Sequence, residues 1–372
     1  MSILIISWDE KEFLNSKYDW TALLARSDSD KLFMSWEWQY AWWKIFKDEG
    51  NMCLRMFTAV DENNNLVGIA PLYITNVITK KVISTRRLQF IGNCWRGKAT
   101  MPTEIVDFIA DKDVSSEVIN VFYEHINSLG SWDEFILSNL SKNTTTYKRL
   151  VADKKLDNCY FRCAETYHSY YLDTTGNFDD YLKKLSKTMR LKLFNRRKLI
   201  DNMGDASFEY LDVELDECFK LLNHLHRKRW GSDVFKDDRL EFNKTVSRLM
   251  TKNDSVQFSV ILFNKEPISI QYNYIVNNRK YNIQAGFDEL FHKKISLGYL
   301  HFGYEIESAF KGNVTAYDFL MGEGKKIQYK ERLRSTKFEM VDMQIIRNNY
   351  VGFLYKLYDR VKATLSSVKN ND

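Results

Sequence analysis

The feature that most constrains the fold is a strand pattern that occurs once in each half of the chain. Residues 65–74 and 266–275 each follow a polar turn and alternate apolar side chains with others, as half-buried β-strands do. The turn before the first run is rich in Asp and Asn, which favour tight hairpin turns. Two unrelated amphipathic strands could share this pattern, so it suggests a duplication without establishing one. A length of 372 residues is enough for two domains.

Helical segments separate the strand patterns and indicate the fold class. Ser35 is placed to cap a helix that carries Trp38, Trp42 and Phe46 on one face. In the second half, segments with a helical pattern of apolar residues alternate with segments that have a strand pattern. The helical patterns lie at about 216–230, 239–250 and 296–310, and the strand patterns lie at 257–263, 268–276, 280–286 and 314–319. This order predicts an α+β (α/β) fold.

Composition narrows the possible classes of protein. The 54 Lys+Arg against 49 Asp+Glu give a net charge of +5, which requires no polyanionic partner. The five cysteines show no paired Cys-x-x-Cys spacing, and the group Cys159, Cys163 and His168 has no fourth ligand, so we expect reduced thiols and no metal site. The first residues lack a basic leader, and no apolar run is long enough to cross a bilayer. We therefore expect a cytoplasmic protein.

A strongly basic segment lies between residues 183 and 198. It contains no acidic residue, and its cations are Lys183, Lys184, Lys187, Arg190, Lys192, Arg196, Arg197 and Lys198. The apolar side chains of the segment stay close to one face, which predicts a helix that packs and presents its charges to solvent. Such a helix is either an ordinary solvated surface or a binding surface for phosphates.

A second possible anion site precedes the helical pattern at 296–310. Lys293 and Lys294 come directly before the helix start at Ser296, where backbone N–H groups would point at a phosphate. Serine at a helix start is also an ordinary capping residue. No P-loop, Gly-x-Ser-x-Gly, Gly-x-Gly-x-x-Gly or His-Glu-x-x-His motif occurs, which argues against nucleotide triphosphatase, hydrolase, dinucleotide-binding and metalloprotease functions.

The ordered motifs of the second half resemble those of GNAT-superfamily acyltransferases of the CelD/BcsL-like group, which are relatives of FemAB-type transferases. The motifs that carry the resemblance lie at 185–197, 225–230, 266–269, 285–288, 296–298, 318–322 and 329–330. The first half adds short matches at 35–38, 68–72 and 88–92. Leu297 and Met321 depart from the pattern, since the group usually has proline and arginine at these positions.

The resemblance implies two tandem GNAT-like domains, each with a mixed, mostly antiparallel sheet flanked by helices. We place them at residues 1–172 and 173–345, followed by a helical tail at 346–372. The implied co-substrate is acetyl-CoA or another acyl-CoA, with no metal. Its diphosphate would be held by Lys294, Ser296, Leu297, Gly298 and Tyr299.

The resemblance also implies direct attack of an amine or hydroxyl on the thioester. Asp318 or His226 would deprotonate or orient the acceptor, although a histidine one turn from Trp230 is more often a packed residue. Lys330 would lie near the acyl group or an acceptor phosphate. The implied substrate-binding residues are Arg190, Arg197, Arg229, Trp230, Gln284, Glu323 and Tyr329.

The expected acceptor is a polysaccharide or cell-envelope precursor, either a small molecule or a lipid-linked glycan, with peripheral contact to a membrane or to glycan-synthesis machinery. One alternative is a FemAB-like transferase that takes an aminoacyl group from tRNA, and only in that case is a nucleic acid expected. The basic segment suits tRNA, but no heptad-patterned helical arm can be identified. The other alternative is a non-catalytic GNAT-like module of a glycan-synthesis complex.

Overall fold

The computed structural model describes residues 2–79, 83–153, 156, 158–251, 255–321 and 327–369. The chain divides into two compact units, of which the first comprises Met1–Thr166 with Glu339–Asp372 and the second Tyr167–Phe338. Each unit has a mixed sheet flanked by helices, so the predicted fold class is confirmed. The domain boundaries at 172 and 345 stay a prediction.

The first unit combines a mixed sheet with several helices. Its elements in the first part of the chain are β1 (Leu4–Trp8), α1 (Glu10–Asn15), α2 (Lys17–Ala25), α3 (Trp36–Phe46), β2 (Met52–Val60), β3 (Leu66–Thr79), β4 (Ile83–Phe90), β5 (Ile109–Ala110), a 3₁₀ turn (Lys112–Val114), α4 (Ser115–Ser128), β6 (Glu134–Ser141) and α5 (Thr145–Asp153). Strands β1 to β4 form an antiparallel meander, and β6 pairs in parallel with β4. Short β5 pairs with β3.

The second unit repeats this arrangement. Its elements are β7 (Tyr160–Asp173, which begins in the first unit), α6 (Phe178–Lys184), α7 (Lys187–Arg190), a π-helical turn (Leu191–Asn195), α8 (Arg197–Asp201), β8 (Ala206–Tyr210), α9 (Leu215–Trp230), α10 (Asp237–Thr251), β9 (Val256–Phe263), β10 (Glu266–Val276), β11 (Arg279–Phe287), α11 (Leu297–Lys311), β12 (Ala316–Met321) and α12 (Ile327–Arg332). Strands β8 to β11 form an antiparallel meander, β12 pairs in parallel with β11, and β7 pairs antiparallel with β12.

The chain ends with β13 (Thr336–Ile346) and α13 (Asn349–Lys369). Strand β13 runs antiparallel to β6, and for this reason the end of the chain belongs to the first unit. No helix in the described part of the chain is both long and apolar enough to cross a membrane.

The two similar sequence segments occupy equivalent places in the two units. Residues 66–74 of the first segment fall in β3 and residues 266–275 in β10, and each of these strands is the third of its four-stranded meander. In both units the meander is followed by a helix, α4 or α11, and then by a strand that joins the sheet in parallel. This shared order supports a duplication, which the sequence pattern alone left open.

The single helix predicted for the basic segment at 183–198 is not observed, and these residues are shared among α6, α7, a π-helical turn and α8. A π-helical turn at Leu191–Asn195 separates α7 from α8. The turn packs against α11 at Gly303, where an ideal Cβ would lie 1.9 Å from the carbonyl oxygen of Leu193. Such a close backbone approach is possible only at glycine, and it depends on tertiary contacts that a helical period does not reveal.

Asp107 is a buried acid of the first unit with a testable effect on stability. Burial raises the pKa of Asp107 to about 7, although the Thr146 hydroxyl and the Phe108 N–H both donate to its carboxyl. The folded state therefore binds a proton that the unfolded state has lost above about pH 4, so this contribution to stability disappears as the pH rises through 7.

We expect Asp107→Asn to be more stable than the wild type at pH 8, by on the order of 2 kcal/mol. Asparagine keeps an oxygen that can accept both hydrogen bonds but never carries a charge. The difference should shrink towards zero at pH 4, where the aspartate is protonated in the folded state. Urea unfolding of both proteins at the two pH values measures it, and an equal difference at pH 4 and pH 8 would contradict the assignment.

Candidate functional site

The sheet of the second unit opens between β11 and β12. These parallel strands pair only at Arg279↔Ala316, Lys280↔Tyr317 and Tyr281↔Asp318. Strand β11 nevertheless continues to Phe287 and β12 to Met321. We call this opening the fork. Its edges carry backbone N–H and C=O groups, so an extended ligand that contains amides could bind there as an added strand would.

The N-terminus of α11 follows β11 and has the properties of an anion site. Its first turn contains no acidic residue, and Lys293, Lys294 and Ser296 before it are exposed. The Ser296 side chain makes no capping hydrogen bond. The first N–H groups of a helix have no intrahelical acceptor, and the helix dipole makes this end positive. A phosphate would satisfy both the N–H groups and the charge.

The equivalent helix of the first unit provides an internal comparison. Helix α4 has Glu117 in its first turn, and Asp111 and Asp113 precede it. Asp111 pairs with Arg26 at 2.5 Å. These carboxylates would repel a phosphate, so only the second unit presents a cationic helix start at this position.

Phe287, the last residue of β11, joins three elements at the end of the fork. An ideal Cβ at Gly298 of α11 would lie 2.8 Å from the Phe287 ring, so this glycine allows the helix start to pack on the strand. On α9, the Arg229 guanidinium lies 4.3 Å from the Phe287 ring centroid and 4.5 Å from that of Trp230. Gly286 allows α9 to lie close to β11, because a Cβ at position 286 would lie 2.9 Å from the backbone nitrogen of His226.

Arg229 is a half-buried cation in this cluster. Burial lowers the pKa of Arg229 from its ordinary value, with weaker opposing effects from Glu289 and Tyr329. Its Nε is buried and has no hydrogen-bond partner among the described residues. A cation that is desolvated without a full set of acceptors gains from an anionic ligand. Arg229 and Trp230, both predicted to bind substrate, therefore lie beside the α11 start.

Lys192 and Tyr329 approach α11 from two other elements. The Lys192 Nζ lies 4.9 Å from the Tyr299 ring centroid, and the Tyr299 and Tyr329 rings are 6.4 Å apart in an edge contact. Tyr329 also stacks on Phe302 at 5.8 Å. The structure thus brings two predicted site residues, Tyr299 and Tyr329, together with a lysine of the basic segment.

Lys330 faces the sheet and not the solvent. It is buried, and its Nζ donates to the carbonyl oxygens of Phe319, Leu320 and Met321 at 2.6, 2.7 and 2.7 Å. An ammonium has three donors, and these carbonyls use all of them. Leu320 has the unusual φ of 59° for a side chain of its size, so Lys330 holds a strained strand end at the fork.

Asp318 lies where the two strands separate. It is fully buried, and its Oδ2 accepts from the Arg279 Nε at 2.9 Å and Nη2 at 2.5 Å. Its Oδ1 accepts from the Leu320 N–H at 2.7 Å. Both carboxylate oxygens are therefore occupied, and Arg279, which the sequence analysis did not select, is the partner that keeps them so.

His226 is the predicted catalytic residue with an available ring nitrogen. Its Nδ1 lies 2.7 Å from the Ser232 carbonyl oxygen, a contact that requires a proton on Nδ1. In the neutral ring the lone pair then lies on Nε2, which can accept a proton. The Trp230 ring is 6.4 Å away, so His226 belongs to the same end of α9 as Arg229.

The remaining predicted residues are less closely grouped. Arg197 forms an ion pair with Glu307 and lies 3.8 Å from the Tyr304 ring centroid, about two turns along α11 from its start. The Leu297 side chain is buried in an apolar cluster, so only its backbone faces the helix start. Gln284 accepts from the Ala285 N–H through its own side chain, and Arg190 is partly exposed at the end of α7. Glu323 lies outside the described residues.

The described residues contain no group of three or more His, Cys, Asp or Glu side chains placed to hold a metal ion. None of the five cysteines, all of which lie in the described part of the chain, forms a disulfide bond. Phe287 is a site residue that sequence reasoning did not select as a contact, although it belongs to the motif at 285–288. The Phe287 ring contacts both Gly298 and Arg229, and these contacts cannot be predicted from the sequence.

Residues 187–331 match the family model described as acetyltransferase (GNAT) domain. Over these residues the chain is similar to GNAT-type acetyltransferase domains. The matched segment covers the fork, α9, α11 and α12, so the match and the geometry concern the same residues. The narrower resemblance to the CelD/BcsL-like group stays a prediction. No curated protein matches the sequence.

Several solved structures with similar folds align with residues of both units. FemX aligns with a TM-score of 0.62 at 12% identity, over 96% of this chain and 99% of that one. A protein of unknown function from Bacteroides thetaiotaomicron gives 0.52 at 10% identity, over 92% and 100% of the two chains. The C-terminal domain of a putative lysylphosphatidylglycerol synthetase from Agrobacterium fabrum gives 0.51 at 10% identity, over 94% and 96%. At these identities the similarity shows the fold alone.

Proposed function

We propose that the second unit binds an acyl-CoA at the fork and transfers its acyl group to an amine or hydroxyl of a polysaccharide or cell-envelope precursor. The observation that carries this proposal is the cationic start of α11 directly beside the open edge of β11. The match of residues 187–331 to the GNAT acetyltransferase domain supports it. The name of the putative lysylphosphatidylglycerol synthetase, whose C-terminal domain has a similar fold, is compatible with a lipid-linked acceptor.

The donor would be held by two kinds of contact. Its diphosphate would accept hydrogen bonds from the backbone at Ser296, Leu297, Gly298 and Tyr299, with Lys294 and Arg229 as nearby cations. The amide-containing arm would lie along the unpaired edge of β11. Backbone N–H groups of that edge would stabilise the negative charge that develops on the thioester oxygen.

The acceptor must lose a proton when it attacks the thioester carbon. We assign this proton to His226 Nε2, because the Nδ1 contact with Ser232 leaves that nitrogen able to accept. A new N–C or O–C bond forms, the C–S bond breaks, and the proton ends on the leaving thiolate. Asp318 and Lys330, whose polar atoms are occupied by Arg279 and by backbone carbonyls, would hold the fork in shape as positioning residues.

Transfer from an aminoacyl-tRNA is the second candidate. Four lysines of the basic segment, Lys183, Lys184, Lys187 and Lys198, are exposed. Their charges could contact RNA phosphates, and binding would then weaken strongly as salt increases. The α11 start does not require RNA, and we therefore rank this function below acyl-CoA transfer.

Calorimetric titration with acetyl-CoA, longer acyl-CoAs and free CoA at two salt concentrations tests the proposal. Saturable binding that prefers one acyl-CoA would identify the donor. Absence of binding to every one of them would overturn the proposal, and a salt-sensitive complex with aminoacyl-tRNA would then favour the second candidate. Acyl-CoA binding without turnover on any acceptor would instead support a non-catalytic module.

A matched pair of variants locates the site in the same titration. Lys294→Glu should weaken acyl-CoA binding about 10-fold at low salt and less at high salt, because it reverses a charge next to the helix start. Lys112→Glu is the control, since Lys112 is an exposed lysine just before α4 in the first unit. Equal weakening by both variants would show that the effect is one of net charge and not of the α11 start.

A further inference from the structure

Helix α13 carries an apolar stripe that no part of the described chain covers. Tyr350, Phe353, Leu357 and Val361 are 65%, 63%, 51% and 51% exposed. Their spacing of three, four and four residues places them on one face of the helix, and Tyr358, at 52%, borders it. Single exposed apolar residues are common, but a continuous stripe marks an interaction surface.

The opposite face of α13 packs against the rest of the first unit. Val351 is buried, and Asp359 forms an ion pair with Arg162 through two hydrogen bonds of 2.7 and 2.8 Å. Arg162 also donates to Gln344 of β13 at 3.0 Å. The helix is therefore held with its stripe outwards, and the stripe does not result from a detached tail.

The charges around the stripe identify the kind of surface that would cover it. Lys356 and Arg360 are exposed and lie along one border of the stripe. The sequence of α13 contains four basic residues and one acidic residue, Asp359, which is turned towards Arg162. A helix with an outward apolar face and a cationic border is typical of helices that lie in the plane of an anionic membrane.

A polar recess adjoins the stripe at the same border. Its volume is about 230 Å³, and its lining includes Asn158, Asn348, Asn349 and Lys356 but no acidic side chain. The Lys356 Nζ lies 4.9 Å from the Tyr160 ring centroid at this recess. Amide groups and an ammonium are suitable partners for the phosphate of a lipid headgroup beside an apolar contact.

A second copy of the chain fits the stripe less well. Pairing two α13 helices about a two-fold axis would bring the Lys356 and Arg360 borders of both copies close together. The one carboxylate in the sequence of α13, Asp359, is paired with Arg162, so two copies of the helix would bring together mainly like charges. We propose that α13 docks the protein on the surface of an anionic lipid bilayer, with Phe353, Leu357 and Val361 inserted among the acyl chains and Lys356 and Arg360 at the headgroups.

Co-sedimentation of the full chain with phosphatidylglycerol/phosphatidylcholine vesicles and with pure phosphatidylcholine vesicles tests the proposal. We expect binding to the anionic vesicles that weakens with salt. Phe353→Ser/Leu357→Ser should reduce it at least about 10-fold, and Lys356→Gln/Arg360→Gln should remove the preference for anionic lipid. Leu290→Ser is the control, because Leu290 is 91% exposed but belongs to the second unit.

Three outcomes would overturn the proposal. They are no binding of the wild type to anionic vesicles, binding that the Phe353→Ser/Leu357→Ser variant retains in full, and a dimer in solution that this variant dissociates without any vesicle binding. The last outcome would assign the stripe to a second copy. Because the vesicles contain no acyl-CoA, the result is independent of the donor site, and urea unfolding shows whether each variant remains folded.

Discussion

Replacing Gly303 by alanine is expected to destabilise the protein by about 3 kcal/mol or more. The added Cβ would lie 1.9 Å from the Leu193 carbonyl oxygen and 2.8 Å from its carbonyl carbon. Both atoms are backbone, so no side chain can move aside, and the π-helical turn or α11 must shift. Such a shift would also move Lys192 away from Tyr299, so acyl-CoA binding should weaken in whatever protein remains folded.

Gly130→Ala is the matched control for this prediction. A Cβ at position 130 would meet no heavy atom within 4 Å, and the φ of Gly130 is not in the left-handed region. Its free energy of unfolding should stay within about 0.5 kcal/mol of the wild-type value or rise slightly, since alanine restricts the unfolded chain. Urea unfolding of both variants decides the matter: equal effects would mean that α11 and the π-helical turn are not in tight contact.

Glu305→Leu is expected to cost about 4 kcal/mol, because it leaves a buried lysine without its partner. Lys280 and Glu305 are 1% and 0% exposed and form an ion pair between β11 and α11. Glu305 also accepts from Ser259 and from the Asn273 amide. Removing the carboxylate takes the counter-ion from the Lys280 ammonium, which keeps a hydrogen bond of 3.3 Å to the Tyr210 hydroxyl, and it takes an acceptor from both the Ser259 hydroxyl and the Asn273 amide.

The double variant Lys280→Met/Glu305→Leu should recover most of this loss. Both charges are then gone, and apolar side chains of similar length replace them. Thermal and urea unfolding of the two single variants and the double variant give the coupling energy of the pair. If the double variant is as unstable as the sum of the single variants, the two residues are not coupled and the buried ion pair is not formed.

A histidine extends this buried network. Burial, with a smaller contribution from Lys280, lowers the pKa of His301 to about 3, so its ring is neutral. Its Nδ1 lies 2.6 Å from the Ser269 hydroxyl and its Nε2 2.9 Å from that of Ser259. Since Ser259 donates to Glu305, His301 Nε2 must carry the proton and Ser269 must donate to Nδ1. The network therefore links β9, β10, β11 and α11 through one consistent set of donors.

Local sequence patterns predicted the strands and the α11 start because each depends on neighbouring residues. The alternation at 266–275 identifies β10, and Lys293–Lys294 before Ser296 identifies a cationic helix start. The π-helical turn was not predictable, since it results from Leu193 meeting Gly303 across the fold. The family resemblance pointed to Asp318 and Lys330, but their partners, Arg279 and three strand-end carbonyls, appear only in three dimensions.

The start of α4 in the first unit and the start of α11 in the second unit differ in charge, and this difference determines how many acyl-CoA molecules one chain is expected to bind. Both units place a helix after the same meander, but carboxylates surround the start of α4 while lysines precede that of α11. A chain with two similar units is thus expected to saturate with one acyl-CoA per molecule and not two.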